Sequence, residues 1–181
     1  MQNNANNPTG RKAYIVTGPT SGIGLATAFE VAKCGTVVLA GSHREKLSEL
    51  QGQIERGGGH AVWVVCNLSD IERARRAAAK ILDLHLPIVG LVNNAGINQT
   101  RRTKSAQGSD LAFATNHLGP FVLTEVLMPH LPEGASVIFV ASGVEDPERK
   151  PAKAVGFRGG RYISVEGETD SRRYRTGEVG T

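Results

Sequence analysis

The sequence predicts one α/β domain built on a doubly wound parallel sheet. Two observations lead to this fold class: short apolar runs rich in β-branched residues recur along the chain, and helical patterns lie between them. The runs are continuously apolar, which is typical of strands covered by helices on both faces. A chain of 181 residues has the length of one domain and is long enough to bury a substantial core.

The five predicted strands combine apolar, mostly β-branched side chains with turn signals at their ends. They are Ala13–Thr17, Thr36–Ala40, Ala61–Cys66, Ile88–Val92 and Ser136–Val140. The predicted helices are Ile23 to Cys34, Ser42 to Gly57, Ser69 to Pro87 and Asn116 to Leu131. Ser42-x-x-Glu45 and Ser69-x-x-Glu72 are capping boxes that open the second and third helices. Pro120 falls near the start of the fourth helix, where proline is tolerated.

A change of composition after Ser142 sets the predicted domain boundaries. The last 39 residues hold 15 charged residues and 7 glycines, whereas the first 142 hold 23 charged residues. The apolar core must therefore come from the earlier part of the chain. We predict a disordered N-terminal tail over 1–11, a folded domain over 12–142 and a polar, largely irregular tail over 143–181.

Charge and hydropathy exclude several classes of protein. The net charge of +4 is spread along the chain, so we predict no nucleic-acid partner. No apolar run approaches the length of a membrane span and residues 1–7 do not resemble a signal peptide, so we predict no membrane association. Cys34 and Cys66 are too few for a disulfide framework and are both expected to be buried. These features predict a soluble, cytoplasmic protein without a metal site.

A glycine-rich turn, Thr17-Gly18-Pro19-Thr20-Ser21-Gly22-Ile23-Gly24, joins the first strand to the first helix. The unpaired N–H groups and the positive dipole end of a helix attract anions, and the pyrophosphate of a dinucleotide fits such a turn. The alternative is a turn that merely connects two elements. Asn93-Asn94-Ala95-Gly96 follows the fourth strand at the same edge of the sheet, although alone it is also an ordinary turn sequence.

These motifs, in this order, resemble those of the short-chain dehydrogenase/reductase family. The resemblance rests on 17–24, on 93–96, on Thr-Asn-His-Leu-Gly-Pro-Phe at 115–121 and on Val-Ala-Ser-Gly at 140–143. It implies a Rossmann-like sheet of strand order 3-2-1-4-5 that is incomplete on its C-terminal side. It also implies an oxidoreductase that transfers hydride between a nicotinamide cofactor and a small carbonyl or alcohol substrate.

The resemblance assigns cofactor contacts by position. The implied set is Gly18, Ser21, Gly22, Ile23 and Gly24 at the phosphates, Ser42, Arg44, Asn67 and Leu68 toward the adenosine, and Asn93, Ala95 and Gly96 toward the ribose and nicotinamide. The implied catalytic residues are Asn116, Ser142 and Tyr174, with Ser142 hydrogen-bonding the substrate carbonyl and Tyr174 exchanging the proton. Simpler alternatives are that Asn116 caps a helix and that Ser142 merely ends a strand.

The cofactor choice is argued from charge after the second strand. An NAD site needs a carboxylate for the ribose hydroxyls, whereas an NADP site needs a cation for the 2′-phosphate. The chain has Ser42-His43-Arg44 there and no carboxylate, which favours NADP(H), with NAD(H) as the alternative cofactor. The alternative is that Ser42 only caps the helix and Arg44 is solvated, in which case neither residue binds the 2′-phosphate.

The catalytic tyrosine motif departs from the family pattern. Members carry a lysine four residues after the tyrosine, where its charge favours the phenolate. Here Tyr162 is followed by Glu166, and Tyr174, which we favour, by Glu178. The chain also ends at Thr181, so the resemblance implies a C-terminally truncated member with an open fifth-strand edge, and we expect that edge or the helices to mediate homo-oligomerisation. The alternative function is a catalytically silent nucleotide-binding protein.

Overall fold

The computed structural model describes residues 10–99, 101, 103–142, 148 and 150. Its parallel strands form one sheet in the order β3-β2-β1-β4-β5, which confirms the predicted fold class and strand order. The strands are β1 (Ala13–Thr17), β2 (Thr36–Gly41), β3 (His60–Val65), β4 (Ile88–Asn93) and β5 (Ser136–Phe139). Each lies within one residue of its predicted bounds, because uninterrupted apolar runs between turn signals mark buried strands.

The helices cover both faces of this sheet. They are α1 (Gly22–Ala32), α2 (Arg44–Arg56), α3 (Ile71–Leu82), α4 (Leu111–Phe113) and α5 (Gly119–Leu127). A π-helical segment, Ala114–Leu118, joins α4 to α5, and a 3₁₀ turn, Met128–His130, follows α5.

Successive residues of the central strand β2 pack into two different hydrophobic cores, one on each face of the sheet. In β2, Val37 and Leu39 pack with α1 and α2, whereas Val38 and Ala40 pack with α3 and α5. All four side chains are buried. Because side chains alternate across a strand, a strand with helices on both faces must be apolar at every position.

The predicted serine caps of α2 and α3 are wrong. The N-cap of α2 is His43, and that of α3 is Asp70. The Asp70 carboxylate accepts hydrogen bonds from the N–H groups of Glu72 at 3.0 Å and Arg73 at 3.1 Å. The bond from the Arg73 N–H, together with those from the Gln107 side chain and the Glu72 N–H and with the charge of Arg73, holds the pKa of Asp70 below its usual value. Ser69 instead donates its hydroxyl to Asn67 Oδ1 at 2.7 Å, so it is committed to the loop that precedes the helix.

The fourth predicted helix begins earlier and is less regular than expected. Asp110 caps α4 by accepting from the Phe113 N–H at 3.0 Å, so Asn116 lies inside the helical stretch and is not its cap. The π-helical segment ends where Pro120 begins the next α-helical turn, and a π segment inside an α-helix is frequently found at functional sites. At Gly119 a Cβ atom would collide with the Leu68 carbonyl oxygen, so glycine lets α5 approach the loop after β3.

Several predictions concern the tails, the cysteines and the open edge. Cys66 is buried as expected, but Cys34 is exposed, which corrects the prediction that both are buried. The predicted tails 1–11 and 143–181, with Tyr174 and Glu178, lie outside the described residues except for 10, 11, 148 and 150. Within the described part of the chain, β5 pairs with β4 alone and Phe139 is 56% exposed. The homo-oligomer expected at this edge stays a prediction.

The described residues include neither a helix fit to span a membrane nor a cluster of metal-ligating side chains. No helix among them combines the length and apolarity needed to cross a membrane. The same residues bring together no group of three or more His, Cys, Asp or Glu side chains able to hold a metal ion.

Candidate functional site

Two adjoining cavities lie at the carboxyl edge of the sheet. The first, of about 550 Å³, is lined by the turn after β1 and by the segments that follow β2, β3 and β4. The second, of about 820 Å³, lies over the end of β5 and the π-helical segment. Asn94, Ala95, Gly96 and Val140 line both, so the two cavities form one continuous cleft.

The turn after β1 has the backbone that an anion site needs. Gly18 and Gly22 have φ angles of +63° and +55°, which glycine adopts without strain. At Gly24 a Cβ atom would collide with the Gly18 carbonyl oxygen and the Asn94 amide, so the turn closes tightly on the helix. The N-cap of α1, Ser21, makes no side-chain capping bond, and no acidic residue lies in the first turn. The positive end of α1 therefore faces the first cavity without an internal counter-charge.

Thr17 joins the ends of β1 and β4. Its side chain is fully buried, and its Oγ1 accepts hydrogen bonds from the N–H groups of Asn94 and Ala95, both at 3.0 Å. The same hydroxyl donates to the Val92 carbonyl oxygen at 3.3 Å. With one donor and two acceptor positions used, the hydroxyl is fully hydrogen-bonded and fixes the chain after β4 against the glycine turn.

The two asparagines after β4 have different roles. Asn94, which is not among the predicted cofactor contacts, donates its amide to the carbonyl oxygens of Thr17 at 3.0 Å and Gly18 at 3.2 Å. Asn93 is buried and donates to Thr124 Oγ1 at 3.0 Å, and it lines the second cavity but not the first. Its Oδ1 has no hydrogen-bond partner among the described residues. The sequence alone does not show which of the two asparagines bonds the glycine turn and which bonds Thr124, because that depends on the packing of β4 against β1.

The part of the first cavity next to the ends of β2 and β3 is lined by Ser42, Cys66, Asn67 and Leu68. Asn67 Oδ1 accepts from the Ser69 N–H at 3.1 Å and from the Ser69 hydroxyl, which leaves the amide nitrogen as the donor. Burial raises the pKa of the Cys66 thiol to about 12, so this group is neutral at physiological pH. A neutral buried thiol contributes apolar surface to this wall of the cavity.

Arg44 does not line the first cavity. Its guanidinium carbon lies 5.1 Å from the centre of the Trp63 ring, a cation–π arrangement on the α2 side of β3. Ser42 therefore lines the first cavity without Arg44 beside it. The sequence proposed these two residues together as the phosphate contact.

The second cavity brings together two of the three predicted catalytic residues. Ser142, just beyond β5, and Asn116 both line it, whereas Tyr174 lies outside the described residues. The Asn116 side chain bonds the backbone of Ile97 twice, accepting from its N–H at 2.8 Å and donating to its carbonyl at 2.9 Å. His117, stacked on Phe113 with ring centres 5.2 Å apart, lines the same cavity.

The sheet order and this cleft define a class of protein. In a sheet of order 3-2-1-4-5 the direction of winding reverses between β1 and β4, and ligands bind outside the carboxyl ends of the strands at that point. The glycine turn follows β1 and the Asn-Asn-Ala-Gly segment follows β4, so both meet there. The arrangement is that of a dinucleotide-binding α/β domain.

Comparison with known proteins names the family. The chain belongs to the short-chain dehydrogenase family, whose model matches residues 12–151. Human polyprenol dehydrogenase is 32% identical over 132 residues, which are 71% of this chain and 40% of that protein. Human dehydrogenase/reductase SDR family member 13 is 35% identical over 162 residues, 84% of this chain and 42% of that protein. The chain thus spans less than half the length of these relatives.

Solved structures show the same likeness. A metagenomic short-chain oxidoreductase in complex with NADP has a TM-score of 0.59 and 32% identity, with 65% of this chain and 55% of that chain covered. A citronellol catabolism dehydrogenase from Pseudomonas aeruginosa has a TM-score of 0.59 and 35% identity, with 70% and 54% covered. The family is one of NAD(P)-dependent oxidoreductases.

Proposed function

We propose that this protein transfers hydride between NADP(H) and a carbonyl or alcohol substrate. The observation that carries the proposal is the continuous cleft: the uncapped N-terminus of α1 faces its first cavity, and Ser142 and Asn116 line its second. Such a cleft joins an anion site to hydroxyl and amide groups that can orient a carbonyl. The chain spans less than half the length of its human relatives, so its activity is proposed here from the cleft itself.

The residues present fit a dinucleotide. Gly18, Ser21, Gly22, Ile23 and Gly24 would hold the phosphates through backbone N–H groups at the start of α1. Ser42, Asn67 and Leu68 would surround the adenosine, and Ala95 and Gly96 the nicotinamide end, because they line successive parts of the first cavity. The nicotinamide ring, when bound, supplies or accepts the hydride.

The protein's own groups would orient the substrate. Ser142 is proposed to donate its hydroxyl to the carbonyl oxygen, which stabilises the negative charge that develops there during reduction. Asn116 acts as a positioning residue, because both polar atoms of its side chain hold the Ile97 backbone at the wall of the first cavity. Asn93 would stay a structural residue of the second cavity, tied to Thr124.

Proton exchange is assigned to Tyr174 by the family pattern, and Glu178 opposes it. At about 5 Å and an effective dielectric of about 20, a unit charge acts on a phenolate with about 3 kcal/mol. Replacing the family lysine by glutamate therefore disfavours the phenolate by up to about 6 kcal/mol. We expect turnover by the present chain to be slow, limited by this proton step.

The test is nucleotide binding followed by turnover in a charge-reversed variant. We expect NADPH to bind the chain at least about tenfold more tightly than NADH, and Glu178→Lys to raise kcat on aldehydes and ketones about 100-fold or more, since part of 6 kcal/mol is recovered. Nucleotide fluorescence gives the dissociation constants, and NADPH oxidation gives the rates. Glu166→Lys is the matched control, because it makes the same change four residues after Tyr162.

These measurements distinguish an active NADP(H)-dependent enzyme from a catalytically silent nucleotide-binding protein and from a protein that binds neither nucleotide. Binding of NADPH without turnover, unchanged by Glu178→Lys, would support the catalytically silent nucleotide-binding protein. NADH binding tenfold more tightly than NADPH would overturn the cofactor preference. Failure to bind either nucleotide would reject both functions.

The second cavity favours an apolar substrate. Its walls include Phe113, Pro120, Phe121 and Phe139, and Phe121 is 58% exposed at its edge. Relatives are named polyprenol dehydrogenase and retinol dehydrogenase 14, after apolar alcohols. We therefore propose a substrate with an extended hydrocarbon part.

A series of linear aldehydes tests the substrate proposal. Each buried methylene contributes about 0.8 kcal/mol, so we expect KM to fall about fourfold per added carbon until the cavity is filled. Phe121→Ser should flatten this dependence, whereas Phe29→Ser, at the opposite end of the sheet, should leave it unchanged. A KM independent of chain length would contradict an apolar site.

A further inference from the structure

A basic groove lies beside the adenosine end of the first cavity. Its volume is about 400 Å³, and Ser42 and Asn67 line both spaces, so the groove continues the nucleotide cleft. One wall is the end of β3 at Val65, and the other is α3. The cations Arg73, Arg76 and Lys80 of α3 line it, and we call this space the α3 groove.

The three cations form one face of α3. Their spacing of three and four residues brings side chains to the same side of a helix. Arg75, between them in sequence, does not line the groove although it is equally a cation on the same helix. Like charges on one helix face repel one another, so an anion in the groove relieves an unfavourable arrangement.

The positive charge is only partly neutralised. The Asp70 carboxylate lies 3.3 Å from Arg73 Nε, while Arg76 and Lys80 form no ion pair within the described part of the chain. A guanidinium has five N–H donors, and a contact at Nε leaves both terminal NH₂ groups for a ligand. Asp70 thus orients the Arg73 side chain and leaves both terminal NH₂ groups of its guanidinium for a ligand.

We propose that Arg73 and Arg76 bind the 2′-phosphate of NADP(H) from the α3 groove. The proposal rests on the proposed NADP(H) dependence and specifies which residues read the phosphate. A guanidinium pairs with two phosphate oxygens at once, and none of the three residues that directly follow β2 is a carboxylate that would favour an unphosphorylated ribose. Arg44, the candidate nearest in sequence, instead stacks on Trp63 and lines neither the first cavity nor the α3 groove.

The test compares ligands that differ only by the 2′-phosphate. Dissociation constants of 2′,5′-ADP and ADP, and of NADPH and NADH, are measured for the full chain and for Arg73→Ala, Arg76→Ala, Arg44→Ala and the matched control Arg75→Ala. Loss of one charge-assisted hydrogen bond corresponds to about a tenfold weakening. We expect Arg73→Ala and Arg76→Ala each to weaken 2′,5′-ADP and NADPH about tenfold, with ADP and NADH changed less than about twofold. Arg75→Ala should change none of them.

The outcomes distinguish this inference from the proposed function. If NADPH binds the unsubstituted chain tightly, and Arg44→Ala alone weakens it while the α3 variants behave like Arg75→Ala, then the 2′-phosphate is read by Arg44 and the inference is wrong, but the NADP(H) dependence stands. If NADH binds as tightly as NADPH, the cofactor preference and the inference fall together. Equal weakening of ADP and 2′,5′-ADP in the α3 variants would mean that the arginines support the adenosine and not its phosphate.

Discussion

Replacing Thr17 by valine lowers the free energy of unfolding by about 2–4 kcal/mol. Valine keeps the shape but removes the hydroxyl that accepts from the Asn94 and Ala95 N–H groups and donates to Val92. Each donor left without a partner on burial costs about 1–3 kcal/mol. We expect NADPH affinity to fall as well, because Ala95 lines the first cavity and Thr17 holds it. Urea unfolding and NADPH titration measure the two effects.

Thr17→Ser is the matched control. Serine retains the hydroxyl and loses one buried methyl group, which costs about 1 kcal/mol. The difference between the two variants therefore reports the hydrogen bonds rather than packing. Equal losses for valine and serine would show that the hydroxyl does not join β1 to β4.

Replacing Ser142 by alanine reduces kcat about 100-fold or more while leaving the NADPH dissociation constant within about twofold. Removing one donor that stabilises a developing oxyanion costs about 10²–10³ in rate, and Ser142 lines the second cavity rather than the first. The measurement is NADPH oxidation under saturating aldehyde, made in the chain itself and in the faster Glu178→Lys background. A matching loss of NADPH affinity would place Ser142 with the nucleotide and not with the substrate.

Ser136→Ala provides the control for that experiment. Ser136 is an exposed serine at the start of β5 and lines neither cavity, so its loss should leave kcat unchanged. An equal loss of rate in both variants would indicate a general effect on β5. If Ser142→Ala retains full kcat, the assignment of Ser142 to the carbonyl oxygen is wrong.

The departures from the sequence-based predictions have local causes. Ser69 is not the cap of α3, because Asp70 lies one residue closer to the helix and Ser69 bonds Asn67 instead. Asn116 was the predicted start of a helix, but Asp110 begins the helical stretch six residues earlier. In both cases a nearby aspartate accepts from N–H groups of the first turn in place of the residue that the sequence suggested.

The surroundings of Arg44 and Asn94 depend on contacts between residues that are distant in sequence. Position after β2 suggested Arg44 as a phosphate contact, but the neighbouring strand β3 places Trp63 under its guanidinium. Asn94 clamps the glycine turn because β4 is aligned beside β1, where Val92 pairs with Val16. Neither contact is visible along the chain, since the partners are 19 and 76 to 77 residues apart in sequence.

The strand order was implied by the family resemblance, whereas the sequence by itself determined the strands, their parallel direction and the glycine turn. These follow from apolar runs, turn residues and backbone freedom, which act over a few neighbouring residues. Only the tertiary structure decided that Thr17 and Asn94 hold the cleft together, that Asn116 supports Ile97, and that the cations of α3 line a groove beside the first cavity. Those features depend on strand register and on which helix face meets the sheet edge, and contacts between distant residues determine both.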